Sequence, residues 1–166
     1  MPTKPLTPWR KRLIEWSMLV LMLSLATAYM QRHMVSGVAP KLNGISTAEH
    51  PLSIADHPGP LLVYFWGTWC SMCRYTSPAV DDIASEYPVI SVAVASGSHQ
   101  EINDFMQLNH YQFPVISDDT GALSNAWGAK AFPAIYIIHD GEIVWITSGV
   151  TSQWGLQLRL WLSQWL

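Results

Sequence analysis

An apolar run and a pair of cysteines adjoin near the middle of the chain, and together they restrict its fold. The run Leu61–Trp66 has the length of a strand, and its continuous hydrophobicity is expected for a central strand buried on both faces. Cys70 and Cys73 follow it as Cys-x-x-Cys, and a helix is predicted over residues 70–87. Because these are the 2 cysteines of the chain, a disulfide within it can only be local.

Strand and helix patterns alternate after the cysteine pair. We predict a second buried strand at residues 89–94, and Asp140-Gly141 predicts a hairpin between two later strands. The other predicted elements are short edge strands within residues 33–59, helices at 100–109 and 122–127, and strands at 134–139 and 142–148. This order predicts an α/β fold in which helices flank a central mixed sheet.

The last predicted element is an amphipathic helix near the carboxyl end. Its apolar residues recur at helical spacing, and they are Trp154, Leu158, Trp161, Leu162 and Trp165. We expect this stripe to pack in the core, with docking to a membrane or a partner as the alternative.

The amino-terminal region predicts a membrane anchor. Basic residues cluster within residues 1–12. Residues 13–30 then form an apolar stretch long enough to span a bilayer, with Glu15 near its amino end as its one charge and Arg32 just after it. We therefore expect a cytoplasmic basic segment at 1–12, a transmembrane signal anchor at 13–30, a tether at 31–37 and an external domain at 38–166. The alternative is a signal peptide cleaved after Ala28, because Ala26-Thr27-Ala28 has the small-x-small pattern.

Composition and charge exclude several other classes of protein. Hydrophobic residues make up 49% of the chain and charged residues 13%, which excludes charge-driven disorder. Residues 33–166 hold 4 basic and 11 acidic side chains. This region lacks the basic surface that neutralises phosphates, so we do not expect nucleic-acid binding.

The position of the cysteines favours redox chemistry. A thiolate at the start of a helix is stabilised by oriented backbone N–H groups, which lowers the pKa of the thiol. We expect Cys70 at the exposed helix tip as the nucleophile and Cys73 one turn inward as the resolving thiol. The same spacing suits half of a zinc site or a Cu(I) site, and Met72 could add a thioether ligand to copper. The histidines show no ligand spacing, however, and no second cysteine pair exists.

Pro133 directly precedes the strand predicted at residues 134–139. It could simply end a loop. The functional interpretation is a cis Phe132-Pro133 bond facing the cysteines, which would leave the backbone polar groups of Phe132 free to pair with an extended substrate.

These motifs together resemble a known family. In chain order they are Phe65-Trp66-Gly67-Thr68-Trp69-Cys70, Pro78 within the helix, Phe113-Pro114-Val115 with Asp118 and Gly121, Trp127-Gly128 and Phe132-Pro133-Ala134. Over about residues 38–166 the chain resembles the TlpA and ResA group of membrane-anchored thiol-disulfide oxidoreductases. The resemblance implies a thioredoxin fold and a docking surface shaped by Trp69, Phe132 and Pro133.

The same resemblance implies a cellular role. The expected substrates are protein disulfides, and the expected electron donor is a transmembrane thiol-disulfide shuttle. The expected location is the periplasmic side of a bacterial inner membrane, in copper or redox stress. We expect no cofactor and no resident metal. The rival functions are a Cu(I)-binding carrier that uses the same cysteines and a thiol reductase of apocytochrome c.

Two departures from the family pattern leave one role open. Thioredoxin has a buried aspartate where this chain has Tyr64, and Gly97 stands where cytochrome-maturation members have a glutamate. Glu101 is a candidate to shuttle the proton of the inner thiol, with a solvated helix residue as the alternative interpretation.

Overall fold

A single long helix precedes the folded domain. The computed structural model describes residues 8–165, so residues 1–7 of the predicted basic segment lie outside it. The chain divides into two units between Arg32 and His33. Helix α1 (Pro8–Gln31) lies in the first unit, and within this helix Trp9–Tyr29 is long and apolar enough to cross a membrane.

The second unit is built on a six-stranded mixed sheet. In chain order its elements are β1 (Gly37–Val38), β2 (Asn43–Ile45), β3 (Pro51–Ser53), a short 3-10 helix (Ile54–Asp56), β4 (Leu61–Trp66), α2 (Cys73–Ala84), β5 (Val89–Val94), α3 (His99–Leu108), β6 (Val115–Asp118), α4 (Ala122–Ala126), β7 (Ala134–His139), β8 (Glu142–Ser148) and α5 (Gln153–Ser163). The strand order is β1-β8-β7-β4-β5-β6, and β2 and β3 form a separate hairpin. β4 pairs in parallel with β5 and antiparallel with β7, which confirms the predicted mixed sheet.

Strand β4 divides the core into two layers. Its side chains alternate between the sheet faces, and all six are buried. Tyr64 and Trp66 join one cluster with the two cysteines, α2, α3 and α5. Phe65 packs in the other cluster with Trp127 and Tyr136. Burial on both faces explains why a continuous apolar run predicted this strand correctly.

The hairpin between β7 and β8 also follows the prediction. Asp140 and Gly141 have positive φ angles of 50° and 78°. Consecutive residues of this conformation form the turn whose twist suits a two-residue hairpin.

Three expectations need correction. The helix predicted from Cys70 begins at Cys73, because residues 70–72 form a turn with Met72 at the helix N-cap. Strand β6 was not among the predicted elements, although it pairs in parallel with β5.

The third correction concerns the apolar stripe of α5, which does not pack in the core. Leu156 and Leu160 are the leucines that face the core, whereas Trp154 is 81% exposed. The other four residues of the stripe are also exposed, and they are Leu158, Trp161, Leu162 and Trp165. Apolar residues cover several sides of this helix, so the spacing alone did not identify the buried side.

Candidate redox site

A disulfide between Cys70 and Cys73 lies where β4 passes into α2. The Cys70 N–H donates to the Gly67 carbonyl at 3.0 Å, and the Cys73 N–H donates to the Cys70 carbonyl at 3.1 Å. These turns carry the chain from the end of the sheet into the first turn of the helix. The sequence therefore places both cysteines just after the carboxyl end of the central strand.

The two sulfur atoms differ in their surroundings. Cys70 is 6% exposed and Cys73 is 1% exposed, so Cys70 is less open than the sequence suggested. The Cys73 N–H also points at the Cys70 sulfur, with 3.2 Å between nitrogen and sulfur. A backbone donor in this position stabilises negative charge on the outer sulfur.

Trp69 lies on the surface beside the disulfide. Its indole N–H donates to the Val94 carbonyl at 3.0 Å, and its ring meets the Phe132 ring edge to face at 5.8 Å. A Cβ at Gly67 would lie 2.7 Å from two atoms of this indole. Trp69 remains 57% exposed, so more than half of it is accessible to another molecule.

The Phe132-Pro133 bond is cis, which confirms the sequence prediction for this bond. Ala134 of β7 pairs with Phe65 of β4, so the loop before β7 and the turn after β4 lie at the same end of the sheet. Phe132 packs against the buried cluster that contains both cysteines. Within residues 8–165, the backbone N–H and C=O of Phe132 enter no hydrogen bond.

Buried hydroxyl groups lie near the backbone of Cys73. The Tyr64 hydroxyl is 2.9 Å from the Ser77 hydroxyl and donates to the Cys73 carbonyl at 3.4 Å. Burial raises the pKa of Tyr64 well above its ordinary value, so the phenol stays protonated. The Thr76 hydroxyl is buried nearby on α2 and has no partner among the described residues. Sequence reasoning singled out Tyr64 only as a departure from a motif, and it missed Thr76 and Ser77.

Glu101 lies away from this buried cluster. It is fully exposed and forms a capping box with Ser98 at the start of α3. Hydrogen bonds from the Ser98 backbone and hydroxyl lower the pKa of Glu101. The structure therefore supports the alternative interpretation, a solvated helix residue. Gly97 has a φ of +88°, a conformation that side-chain-bearing residues rarely adopt.

Two further side chains are exposed next to the cysteine pair. Met72 is 50% exposed and Tyr75 is 73% exposed. They are three positions apart at the start of α2, so they share one face of its first turn. Tyr75 was not predicted as a site residue, although its helical spacing from Met72 could have indicated it.

The cysteine pair and Met72 place three soft metal ligands close together in the sequence. The residues that could hold Cu(I) are the thiols of Cys70 and Cys73 in the reduced protein, with the thioether of Met72. Within the described part of the chain, no group of three or more His, Cys, Asp or Glu side chains could hold a metal ion.

Comparisons with known proteins agree with this arrangement. A model of the AhpC/TSA family matches residues 35–146. A thioredoxin-like protein of Haemophilus influenzae is 41% identical over 114 residues, which cover 68% of this chain and 68% of that protein. The thiol-disulfide oxidoreductase ResA of Oceanobacillus iheyensis is 28% identical over 94 residues, covering 54% of this chain and 49% of ResA.

A solved structure also shares the fold. The crystal structure of a putative thiol:disulfide interchange protein DsbE from Chlorobium tepidum superimposes with a TM-score of 0.69 at 19% identity. The match covers 79% of this chain and 99% of that one. This likeness confirms the thioredoxin fold of the second unit.

Fold and site together define a thioredoxin-like thiol-disulfide oxidoreductase, because a Cys-x-x-Cys pair joins the central strand to the following helix. The family match covers more than half of the sequence. The chain belongs to the AhpC/TSA family.

Proposed function

We propose that this protein is a single-pass membrane protein whose external domain reduces disulfides of other proteins in the periplasm. Cys70 attacks the substrate disulfide, and Cys73 then resolves the mixed disulfide. The observation that carries the proposal is the Cys70–Cys73 disulfide, whose outer sulfur accepts the Cys73 N–H at 3.2 Å. This contact favours Cys70 as the attacking thiolate.

The anchor is supported by the length and the flanking charges of α1. The candidate span has 21 residues, and a helix of that length is about 32 Å long, close to the thickness of the hydrocarbon core. Arg10, Lys11 and Arg12 lie near the amino end of α1, and Arg32 follows the last residue of this helix. The cluster of positive charge favours a cytoplasmic amino terminus, which would place the domain outside.

The surface around the disulfide supports an extended polypeptide as substrate. The N–H and C=O of Phe132 bond to none of the described residues and could pair with a substrate backbone. Trp69, Met72 and Tyr75 offer exposed apolar contacts. Arg74 is the charged residue between Met72 and Tyr75. We therefore propose substrates that present apolar side chains beside their disulfide.

The physiological setting is proposed from the motifs of the sequence. Among the TlpA and ResA group they most resemble those of suppressor of copper sensitivity protein D of bacterial envelopes. We accordingly propose a role in copper or redox stress, with electrons supplied by a transmembrane thiol-disulfide shuttle. The cysteines and Met72 also suit a Cu(I) carrier, so the test must separate exchange from metal binding.

The test is to trap substrates with cysteine variants of the full chain in membranes. We expect Cys73→Ala to accumulate covalent complexes that a reductant releases, because the mixed disulfide at Cys70 is not resolved. Cys70→Ala is the matched control, and it should form no complexes and lose exchange activity.

Two results would contradict the proposal. One is that the Cys70→Ala protein retains the exchange activity of the unmodified chain. The other is that the reduced protein binds Cu(I) stoichiometrically and exchanges no disulfide, which would favour the carrier.

A further inference from the structure

Helix α5 is apolar on two opposite sides. Leu156 and Leu160 face the core. The other side of the helix, with the turn after it, carries exposed apolar residues. They are Trp154, Leu158, Trp161, Leu162 and Trp165, and we call them the α5 stripe. At about 100° of rotation per residue, the middle of the stripe lies about 180° around the helix from the two core leucines. The stripe is therefore open to another molecule.

The spacing of the stripe is that of a seam between two packed helices. Trp154, Leu158, Trp161 and Trp165 follow one another at intervals of four, three and four residues. Apolar residues repeat in this way where one helix packs along another. The rings of Trp161 and Trp165 lie 6.4 Å apart, edge to face, so the apolar surface continues past the end of the helix at Ser163.

The flanks of this seam carry no charge. The positions beside it that would meet a second helix hold Gly155, Gln157, Leu162 and Gln164. The one charged residue of α5, Arg159, lies about 140° around the helix from the first tryptophan of the seam, and its Nη1 atom is buried. Two copies of this surface can therefore meet without bringing like charges together.

Lipid is a poor occupant of the stripe. Helices that lie on bilayers carry several Lys and Arg side chains on their polar face, whereas α5 has one basic residue and residues 33–166 hold 4 basic and 11 acidic side chains. Met34 and Val35, at the start of the second unit, pack in the cluster of Phe65 and Trp127, whereas α5 packs in the cluster on the other face of the sheet. The chain thus enters the second unit on the face opposite to α5. A protein surface fits the stripe better.

We propose that the α5 stripe is an interaction surface between two copies of this chain. In a two-fold pair each copy presents the same patch, so an apolar seam with uncharged flanks meets an identical seam. Pairing covers the tryptophans and leucines that a single copy leaves exposed. The stripe shares no residue with the redox site, so the inference goes beyond exchange by Cys70 and Cys73.

The size of the stripe predicts a weak pair. Since an aromatic side chain buries about 150 to 250 Å², the exposed parts of three tryptophans and two leucines amount to about 500 Å² per copy. Two copies would bury about 1,000 Å², the lower limit of a specific interface. We expect the pair to form where copies are concentrated in a membrane and to separate when the protein is diluted in detergent.

Photochemical cross-linking of the full chain in membranes tests the pair. Two copies with different tags are expressed together, each with benzoyl-phenylalanine in place of Leu162 at the edge of the stripe. We expect light to give a product of twice the chain mass that carries both tags. The same probe in place of Leu108, which is exposed on α3, should give at least tenfold less of this product.

Two substitutions test the role of the tryptophans. Trp154→Glu with Trp161→Glu should lower the yield of the two-tag product about tenfold, because pairing would bury unpaired carboxylates. Trp154→Glu alone should lower it about threefold, and it leaves the fold intact because an exposed glutamate in the first turn favours a helix. Leu108→Glu is the matched control and should leave the yield unchanged.

Several outcomes would overturn the pair. A product that joins one tagged copy to a different protein would assign the stripe to another partner, and a probe attached to phospholipid alone would assign it to the membrane. An unchanged yield in both glutamate variants, or equal yields from the probes at positions 162 and 108, would show chance collision. Disulfide exchange is measured separately on the same variants, so failure of the pair leaves the proposed function standing.

Discussion

Trp69 owes its position to the missing side chain at Gly67. The indole covers the backbone of Gly67, donates to Val94 and contacts Phe132, so three different segments fix the ring beside the disulfide. The residue order Gly-x-Trp-Cys therefore has a steric reason. A methyl group at position 67 would occupy the place of the indole.

The first prediction concerns Gly67→Ala. We expect Trp69 to shift and the rate of exchange with a protein disulfide to fall by about 10-fold to 100-fold, because small misplacements of docking groups cost catalysis heavily. Exchange kinetics and tryptophan fluorescence would measure the effect. Gly59→Ala is the control, since a Cβ there meets no atom within 4 Å. If both variants exchange at the same rate, the steric account of Trp69 is wrong.

Some residues of the site could be predicted from the sequence, and others could not. Cys70, Cys73, Trp69, Phe132 and Pro133 could be proposed from the sequence because each belongs to a short motif with its own local pattern. The contact between Tyr64 and Ser77 joins residues 13 positions apart through the packing of α2 on β4. No spacing in the sequence reveals that contact, because it depends on how a helix crosses a strand.

The same distinction holds for whole elements. Strands β4, β5, β7 and β8 match their predicted bounds, since runs buried on both faces and a two-residue hairpin turn have strong local signals. Strand β6 has only four residues after Pro114 and lacks such a signal. In α5, more than one set of tryptophans and leucines recurs at helical spacing, so the spacing fits several sides of the helix. Packing against α2 and β7 decides which leucines are buried.

The second prediction tests that correction by comparing two leucines of α5. Leu160 is fully buried, whereas Leu158 is mostly exposed. We expect Leu160→Ala to lower the free energy of unfolding by about 2 to 5 kcal/mol. Leu158→Ala should change it by about 0.5 kcal/mol or less. Urea unfolding of both variants measures the difference, and equal losses would mean that the stripe predicted from the sequence is buried after all.

At the scale of the whole molecule, charge is divided between the two units. Residues 1–32 hold 5 basic side chains and 1 acidic side chain, whereas residues 33–166 hold 4 basic and 11 acidic side chains. Basic residues beside a span are retained on the cytoplasmic side, and an acidic domain does not oppose export. The division of charge thus agrees with the proposed orientation.

The last prediction is that α1 stays attached to the chain and holds the protein in the membrane. Alkaline carbonate should leave the full-length protein in the membrane fraction, because the span keeps its apolar side chains in lipid. Val20→Arg places a charge in the middle of the span, at a cost of about 2.5 to 3.5 kcal/mol, and combined with Leu21→Arg it should shift protein into the soluble fraction. Leu108→Arg adds a charge at a position 81% exposed on the second unit and should leave the protein membrane-bound. A mature chain that starts at Tyr29 and leaves the membrane with carbonate would instead establish cleavage after Ala28, and the anchor would be a signal peptide.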